Sequence, residues 1–356
     1  MLPETIIGWD IGGAHVKVAV LHKGCLVEVA QHACALWQGI TRLEEVVCRI
    51  LQPRRVRRIA HAVTMTGESA DCFAGRDEGV RRILEVLRDC IAPECLYIFA
   101  GIEGLLAFEQ VQPAHYPKIA SANWLATGRY VASRVDSAIL IDIGSTTTDL
   151  LLMEAGQVQA KAFSDFDRLA CAELVYTGIV RTPIAALCKQ IFFDGQCVPL
   201  MAEFFATTAD VYRLTGELPE DYDQWPAADG AEKSIAASAR RLARMIGRDS
   251  DWISLPAWKM LAASFKEQQL RQIQDALLRL RSRLESERNP VIVGAGIGHF
   301  LAAELGRRCG LEYLDFSNLG NHRARIPGLA ECAPAVALAY LMAESATICT
   351  QQNLPG

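Results

Sequence analysis

Residues 139–149 decide the fold of this chain, and they read Ile-Leu-Ile-Asp-Ile-Gly-Ser-Thr-Thr-Thr-Asp. An apolar run that ends at an Asp-x-Gly pair predicts a buried strand that enters a tight hairpin turn. Such a turn offers N–H groups and hydroxyls for phosphate oxygens, and carboxylates for the metal that accompanies phosphate. One turn of this kind is weak evidence, because aspartate and glycine are ordinary hairpin residues.

The same design occurs earlier in the chain, where residues 7–17 read Ile-Gly-Trp-Asp-Ile-Gly-Gly-Ala-His-Val-Lys. Asp10 corresponds to Asp142, and Gly12 corresponds to Gly144. A strand-turn-strand unit that is used twice predicts two similar half-molecules that face each other across a cleft. The sequence therefore predicts an α/β fold with two domains, each built on a mixed sheet, flanking a central cleft.

Composition limits the classes of partner. The chain has 356 residues, enough for two domains, and its 51% hydrophobic and 22% charged residues are typical of a globular protein. The net charge of −5 gives no overall attraction to nucleic acid or to an anionic membrane. The basic cluster of Arg54, Arg55, Arg57 and Arg58 is interpreted as a solvated face. No apolar run reaches the ~18 residues that a membrane helix needs. We therefore expect neither nucleic acid nor membrane as a partner.

The cysteines and the N-terminal sequence predict a reducing, cytoplasmic location. The 12 cysteines are scattered without a Cys-x-x-Cys pair or zinc-ligand spacing. The chain enters strand sequence almost at once, without a charged and then apolar leader. A homodimer is left open as the assembly state.

The chain divides into three predicted segments. An N-terminal domain with the first turn spans residues 1–137, a C-terminal domain with the second turn spans 138–332, and a closing helix with a tail spans 333–356. Periodicity also predicts helices at 102–108 and 203–214, and a loop rich in Pro, Asp and Trp at 218–230. Within 203–214, two threonines and an aspartate are poor helix formers, a local inconsistency that function often explains.

Phosphate and metal chemistry is predicted at the two turns. Glycine lets the backbone approach a phosphate without a Cβ, and Lys17 adds a point charge. His15 is interpreted as a phosphate ligand, with a surface histidine as the alternative. Asp10 and Asp142, with Asp149 as a further candidate, are suited to hold Mg²⁺ through water. The predicted phosphate-binding residues are Gly12, Gly13, Ala14, His15, Lys17, Gly144, Ser145, Thr146, Thr147 and Thr148.

Further polar residues are candidates for substrate contact. Some follow a strand's carboxyl end, where open α/β sheets bind ligands, although an ordinary strand-to-helix turn is an equal alternative. The full set is Thr66, Gly67, Glu68, Asn123, Arg181, Thr207 and Thr208. A later glycine turn contains Gly294, Gly296 and Gly298, and His299 excludes a dinucleotide fingerprint there. It either lies against a flat ring or a phosphate, or it lets a helix pack on a strand.

The two Asp-x-Gly turns and the late glycine turn resemble, in this order, the superfamily of actin, sugar kinases and heat-shock chaperone ATPases. In that superfamily they are the first phosphate loop, the second phosphate loop and the adenosine loop, carried by two actin/ribonuclease-H-like domains. Within it, the chain is similar to the hydantoinase/oxoprolinase-like family over roughly residues 6–306. The stretches that carry this similarity are Gly8-Trp-Asp-Ile-Gly-Gly-Ala, Met65-Thr-Gly-Glu, Asp142-Ile-Gly-Ser-Thr-Thr-Thr-Asp, Glu173-Leu-Val-Tyr-Thr-Gly with Arg181-Thr-Pro, and Phe205-Ala-Thr-Thr-Ala-Asp-Val-Tyr.

The resemblance implies a transferase of methanofuran or methylofuran biosynthesis, which serves one-carbon metabolism and methylotrophy. It would condense a phosphorylated furan, an aminomethyl-furanmethyl diphosphate, with a phenolic amine, (γ-glutamyl)tyramine, and release diphosphate with Mg²⁺ as cofactor. The alternative is an ATP-dependent small-molecule kinase or a hydantoinase/oxoprolinase-type hydrolase of the same fold. A nucleotide-binding regulator is a third interpretation. His15 departs from the asparagine-like residue usual in the first loop.

Asp210 is the third predicted catalytic residue, beside Asp10 and Asp142. A phenol has a pKa near 10, so a base or a charge partner must assist its attack at neutral pH. Asp210 is predicted either to accept the phenol proton or to fix the amine of the furan. A capping aspartate at a helix break is the alternative.

Overall fold

A computed structural model of the protein describes residues 3–54, 59–284, 289–322 and 326–352. The N-terminal unit comprises Met1–Asp136, Ala155–Val158 and Phe316–Gly356, and the C-terminal unit comprises Ser137–Glu154 and Gln159–Asp315. The predicted segment 138–332 therefore differs from the structure at residues 155–158, which lie in the N-terminal unit, and at residues 316–332. Residues 316–332 belong to the N-terminal unit because the chain returns there to place its last helix against the first sheet.

The described strands are, in chain order, β1 (Thr5–Ile11), β2 (His15–His22), β3 (Cys25–Ala33), β4 (Ile59–Met65), β5 (Leu96–Phe99), β6 (Leu105–Ala107), β7 (Ala138–Ile143), β8 (Thr148–Glu154), β9 (Gln157–Val158), β10 (Leu174–Val175), β11 (Gln190–Phe193), β12 (Gln196–Pro199), β13 (Val291–Ala295) and β14 (Tyr313–Asp315). The described helices are α1 (Thr41–Leu51), α2 (Arg76–Cys90), α3 (Tyr116–Ile119), α4 (Asn123–Ala132), α5 (Asp165–Cys171), α6 (Ile184–Leu187), α7 (Thr208–Thr215), α8 (Ile235–Met245), α9 (Leu255–Arg281), α10 (His299–Cys309) and α11 (Ala333–Gln352).

Both units are built on the same central strand arrangement. In the N-terminal sheet, ordered β3-β2-β1-β4-β5-β6, strand β1 pairs antiparallel with β2 and parallel with β4. In the C-terminal sheet, ordered β10-β8-β7-β13-β14, strand β7 pairs antiparallel with β8 and parallel with β13. A hairpin joins each antiparallel pair, whereas each parallel pair requires a longer crossover. The sequence repeat thus corresponds to a repeat of topology, and the predicted α/β fold with mixed sheets is confirmed.

The two faces of β1 bury different partners. Ile7, Trp9 and Ile11 enter an apolar core that also contains residues of α1 and α2. On the other face, Gly8 allows α11 to approach, since a Cβ at Gly8 would lie 1.9 Å from Ala335 O. Helix α11, which lies in the segment predicted as a closing helix with a tail, therefore packs on the strand that leads to the first turn.

Two helix predictions fail for tertiary or local reasons. Residues 102–108, predicted as a helix, contain a 3-10 turn at Gly101–Glu103 and then β6, which pairs antiparallel with β5. In the predicted helix 203–214, helical structure begins only at Thr208, with Thr207 as the extended N-cap. The inconsistent threonines thus mark a helix start, where Thr is favoured. The predicted loop 218–230 is confirmed, with a 3-10 turn at Glu220–Tyr222.

The features used to exclude partners are only partly visible. Arg54 pairs with Glu28, whereas Arg55, Arg57 and Arg58 of the basic cluster lie outside the described residues. None of the helices in the described part of the chain combines the length and the apolar character that crossing a bilayer requires.

Candidate functional site

The two predicted phosphate loops are equivalent tight turns. In the first turn, residues 12–15, Gly12 N donates to His15 O at 2.9 Å. In the second turn, residues 144–147, Gly144 N donates to Thr147 O at 2.9 Å. The tips of both turns lie outside the strand ladders of their hairpins. The same backbone geometry therefore places Gly13 and Ala14 in one unit where Ser145 and Thr146 lie in the other.

The hairpins differ in the residue opposite the aspartate. Lys17 is the register partner of Asp10, whereas Asp149 is the register partner of Asp142. Lys17 Nζ donates at 2.8 Å to Glu331 O, just before α11. This bond holds the Lys17 ammonium at the start of that helix, and its predicted contact with phosphate stays a prediction.

His15 is not the surface histidine that the sequence left as an alternative. It is the first residue of β2, and only 7% of its surface is exposed. Asp10 is similarly buried, with 5% exposed. Both side chains therefore sit within the N-terminal unit, and ligand binding by His15 stays a prediction.

The stretch after β4 lies directly against the first turn. Thr66 N donates to Ile11 O at 2.9 Å, and a Cβ on Gly67 would lie 3.2 Å from Gly12 C. Glu68 is fully buried, and its Oε1 accepts a hydrogen bond from Ser121 Oγ at 2.6 Å. This bond ties the turn after β4 to the turn before α4, which begins at Asn123. Glu68 therefore holds two turns together, a role that fits its burial better than the predicted contact with substrate.

The second turn is clasped by residues 177–181 of the same unit. Ser145 O accepts hydrogen bonds from the amides of Val180 and Arg181, both at 3.0 Å. Gly178 is required here, since a Cβ would lie 2.5 Å from Thr146 N. Thr148 is buried and its Oγ1 donates to Thr177 O at 2.7 Å. The predicted phosphate contact of the Thr148 hydroxyl is therefore corrected: this hydroxyl fastens the clasp.

The late glycine turn packs against the base of the second turn. Gly298 N donates to Ile143 O at 2.9 Å. Gly296 has a positive φ of 77°, and a Cβ there would lie 2.5 Å from Asp142 Oδ1. Gly296 and Gly298 therefore let the β13–α10 junction approach Asp142 and Ile143 closely, whereas Gly294, near the end of β13, makes room for the ring of Tyr313. The packing alternative is thus observed, and contact with a ring or phosphate stays a prediction.

Asp149 is engaged in an ion pair inside the C-terminal unit. Arg168 Nη1 donates to Asp149 Oδ1 at 2.8 Å, and Arg168 is itself almost fully buried. Burial raises the pKa of Asp149, and the Arg168 guanidinium opposes that shift. A guanidinium competes with a cation for these oxygens, so the arrangement disfavours Asp149 as a metal ligand.

No preformed metal cage is present in the described ranges. Among those residues, no group of three or more His, Cys, Asp and Glu side chains could hold a metal ion. Mg²⁺ needs only one or two carboxylates, because it keeps most of its water shell. Asp10 and Asp142 as Mg²⁺ ligands stay a prediction.

The structure brings two predicted substrate stretches together. Thr208 N donates to Thr182 O at 2.9 Å, and Ala209 N donates to Val180 O at 3.3 Å. These bonds align the clasp of the second turn with the first residues of α7. Beside them lies a cavity of about 280 Å³, lined by Val180, Arg181, Phe204, Thr207, Ala209, Asp210, Arg213, Asp223, Trp225, Pro226, Ala227 and Ala228.

Asp210 caps α7 and joins it to α8. It is 2% exposed, and its Oδ2 accepts from Thr207 N at 3.1 Å. Its Oδ1 accepts from Ser238 Oγ at 2.8 Å and from Arg241 Nη1 at 3.0 Å. The capping alternative is therefore observed, while proton acceptance stays a prediction. Thr208 is fully buried, so its predicted contact with substrate is not available in this arrangement.

Several residues of the cavity wall were not predicted from the sequence as site residues. Phe204, Arg213, Asp223 and Trp225 line it, and the last two lie in the stretch predicted only as a loop. A tryptophan in a polar, proline-containing loop was the available signal, because large aromatic side chains in loops often contact ligands or partners.

Comparison with known protein families gives a match over most of the chain. The model described as hydantoinase/oxoprolinase matches residues 60–345. This range contains the second turn, its clasp, the cavity and the late glycine turn, whereas the first turn precedes it.

Two curated relatives bear the same name, (4-{4-[2-(gamma-L-glutamylamino)ethyl]phenoxymethyl}furan-2-yl)methanamine synthase. The protein of Methanocaldococcus jannaschii is 32% identical over 250 residues, which cover 70% of this chain and 73% of the relative. The protein of Methanococcus vannielii is 30% identical over 126 residues, which cover 35% of this chain and 56% of the relative.

Among solved structures, nucleotide-free acetone carboxylase has a similar fold. The TM-score is 0.59 at 11% identity, and the match covers 95% of this chain and 70% of that chain. At this identity the likeness concerns the fold alone. With the repeated sheet topology, it supports two actin/ribonuclease-H-like domains, as predicted.

Proposed function

The chain belongs to the hydantoinase/oxoprolinase family, and from this premise we propose that it is a transferase that forms a C–O ether bond with loss of diphosphate. The donor would be an aminomethyl-furanmethyl diphosphate, and the acceptor would be the phenol of a γ-glutamyltyramine. The similarity to the Methanocaldococcus jannaschii synthase is the single observation that carries this proposal. The product would serve methanofuran-type cofactor biosynthesis in one-carbon metabolism.

The proposed reaction suits a site that stabilises a leaving anion. The bond between the furfuryl carbon and the diphosphate oxygen breaks, the phenol oxygen bonds to that carbon, and the phenol loses its proton. A furfuryl carbon ionises readily, because the ring oxygen spreads the positive charge. Catalysis then depends mainly on stabilising the negative charge that develops on diphosphate.

The second turn offers donors for that diphosphate. Its tip carries the hydroxyls of Ser145, Thr146 and Thr147 with the neighbouring backbone amides, and the side chain of Asp142 lies at its base. Mg²⁺ held through water near Asp142 would neutralise part of the diphosphate charge. The clasp by residues 177–181 keeps the turn rigid, so that its donors need little reorganisation as the charge develops.

The test is a direct assay with three arms. Purified protein receives the synthetic furan diphosphate and γ-glutamyltyramine with Mg²⁺, the same pair with excess EDTA, or ATP–Mg²⁺ with each substrate singly. Mass spectrometry measures the ether, and a phosphate assay after treatment with pyrophosphatase measures the released diphosphate. We expect ether and diphosphate in equal amounts in the first arm and a strong loss in the second. Turnover of ATP without ether formation would instead establish the ATP-dependent kinase or hydrolase alternative.

A further inference from the structure

The cavity beside the second turn has a distinctive charge pattern. Arg213 pairs with Asp223 and lies 3.6 Å from Asp210, and Lys233 lies 3.3 Å from Asp223. Arg241 lies 3.0 Å from Asp210. The two carboxylates of the cavity wall are therefore already neutralised by cations of the protein.

Arg181 is different from the other charged groups of this wall. Its side chain is exposed, and among the residues that the structure describes no carboxylate lies within ion-pair distance of its guanidinium. A cation at the wall of a cavity whose carboxylates are already neutralised gives that cavity an excess positive charge. The planar guanidinium of Arg181 carries a fork of hydrogen-bond donors that matches the geometry of a carboxylate.

The remainder of the wall favours an aromatic ring. Phe204 is 55% exposed and lines the cavity together with Trp225, Pro226 and small alanines. The volume of about 280 Å³ lies near the lower end of the ~300–1,000 Å³ typical of ligand pockets. One aromatic ring with a short polar chain is a ligand of that size.

The cavity is joined to the second turn through the backbone. Val180 and Arg181 line the cavity, and their amides donate to Ser145 O in the turn. A ligand in the cavity would therefore lie beside the turn to which we assign the diphosphate. This continuity involves only residues of the C-terminal unit.

We propose that this cavity is the subsite of the acceptor substrate. It takes a phenol that bears a carboxylate on its side chain, the carboxylate pairs with Arg181, and the ring contacts Phe204 and Trp225. This inference rests on the proposed function for the nature of the acceptor as a phenol. It assigns Asp210 to the support of the cavity wall, as a positioning residue that holds α7 and α8.

Two matched variants test the role of Arg181. Arg181→Gln removes the proposed anchor, and Arg279→Gln makes the same change at an exposed arginine of α9 outside the cavity. Each is assayed with γ-glutamyltyramine and with tyramine, which lacks the carboxylate. We expect Arg181→Gln to raise KM for γ-glutamyltyramine about tenfold or more, as the loss of a charge-assisted hydrogen bond predicts. KM for tyramine and for the furan diphosphate should stay within about twofold of wild type, as all constants should in the control.

A third variant tests the location of the ring. Ala228→Leu narrows the cavity without changing its charge, and we expect it to raise KM for both acceptors. Thermal midpoints establish that each variant is folded. Normal ether formation with unchanged acceptor KM in both Arg181→Gln and Ala228→Leu would overturn the subsite while leaving the proposed function intact.

Calorimetry tests the case in which the cavity assignment is right but the proposed function is wrong. Wild-type protein is titrated with γ-glutamyltyramine alone, and the titration is repeated with Arg181→Gln. Binding that is lost in the variant, from a protein that forms no ether with any diphosphate, would support the cavity assignment and overturn the proposed function. Equal binding to both proteins would overturn the role of Arg181.

Discussion

Asp10 and Asp142 occupy equivalent positions but have different surroundings. Asp10 is buried with Lys17 as its register partner, and Lys17 is held by Glu331 O before α11. Asp142 is only half-buried, at the base of a turn whose residues 144–147 are also half-buried. Substitution of Asp10 therefore disturbs packing as well as any ligand, so Asp142 gives the cleaner test of metal binding.

Asp142→Asn is expected to lower kcat about 100-fold, because an amide holds the water shell of Mg²⁺ poorly. Turnover is measured against Mg²⁺ concentration, and the thermal midpoint is measured in parallel. The midpoint should stay near that of wild type, since the amide has the same shape. Asp275→Asn, an exposed position on α9, serves as the control and should match wild type in both respects. Wild-type turnover of Asp142→Asn at saturating Mg²⁺ would refute the metal assignment.

Two buried residues, one in the second hairpin and one in the turn after β4, show why residue type alone did not assign roles. Thr148 has the hydroxyl that a phosphate ligand needs, yet that hydroxyl donates to Thr177 O. Glu68 has a suitable carboxylate, yet that carboxylate is buried against Ser121. In each case the polar group forms a hydrogen bond with a residue that is distant in sequence. Such a partner cannot be identified from the sequence alone.

At the level of elements, α7 links the cavity to the body of the C-terminal unit. Its N-cap Thr207 lies on the cavity wall, and its residue Asp210 reaches Arg241 of α8. Tyr212 of the same helix donates to Gln269 of α9. The start of α7 therefore sets the position of the wall on which the proposed acceptor would rest.

Asp210→Asn is expected to reduce stability more than it alters the pH profile. The amide keeps a hydrogen-bonding oxygen for the cap, but the buried Arg241 guanidinium loses one of its two carboxylate partners and keeps Asp229, at a cost of about 2 kcal/mol. Denaturant unfolding measures this loss. Asp167→Asn, at an exposed aspartate in the first turn of α5, is the control and should lower the free energy of unfolding by only about 0.5 kcal/mol.

The pH profile of kcat for Asp210→Asn distinguishes a positioning residue from a general base. A positioning residue leaves the acidic limb of the kcat profile in place, whereas removal of a general base abolishes that limb. An unchanged free energy of unfolding together with a lost acidic limb would contradict our assignment and restore Asp210 as the base.

The N-terminal unit as a whole is assembled from segments that are far apart in the chain. α11 packs on β1 at Gly8, and β1 also pairs with β4, which carries the buried His61. Trp9 Nε1 donates to His61 Nδ1 at 3.0 Å, so this histidine acts as an acceptor in the core. Burial lowers the pKa of His61 from 6.5 to about 4.

This shift predicts how stability depends on pH. Because the folded-state pKa is lowered, the unfolded chain binds a proton at higher pH than the folded chain does. The contribution of neutral His61 to the free energy of unfolding is fully present above pH 6.5, and it is lost as pH falls toward about 4. The loss amounts to about 3 kcal/mol for a shift of this size. Denaturant unfolding across this range should show the slope in wild type and a flatter curve in His61→Gln. Identical curves for the two proteins would contradict it.

Local sequence features were enough to predict the repeated strand-turn-strand units, because an apolar run and the glycine turn after it depend only on neighbouring residues. It also identified Asp10, Asp142, Arg181 and Thr207 as residues of interest, since their types are unusual at those points. Strand pairing of residues 105–107 with β5 was not predictable from their composition, because pairing depends on a neighbour that the chain supplies elsewhere.

Which of these groups face a cavity, and which are engaged by other residues inside the protein, depends on long-range packing. Arg181 and Thr207 line the same cavity because the clasp of the second turn bonds to the start of α7. Asp149 forms an ion pair with Arg168, which lies on α5. Such partners are chosen by long-range packing, since a buried polar group must find a hydrogen-bonding partner wherever the fold places one.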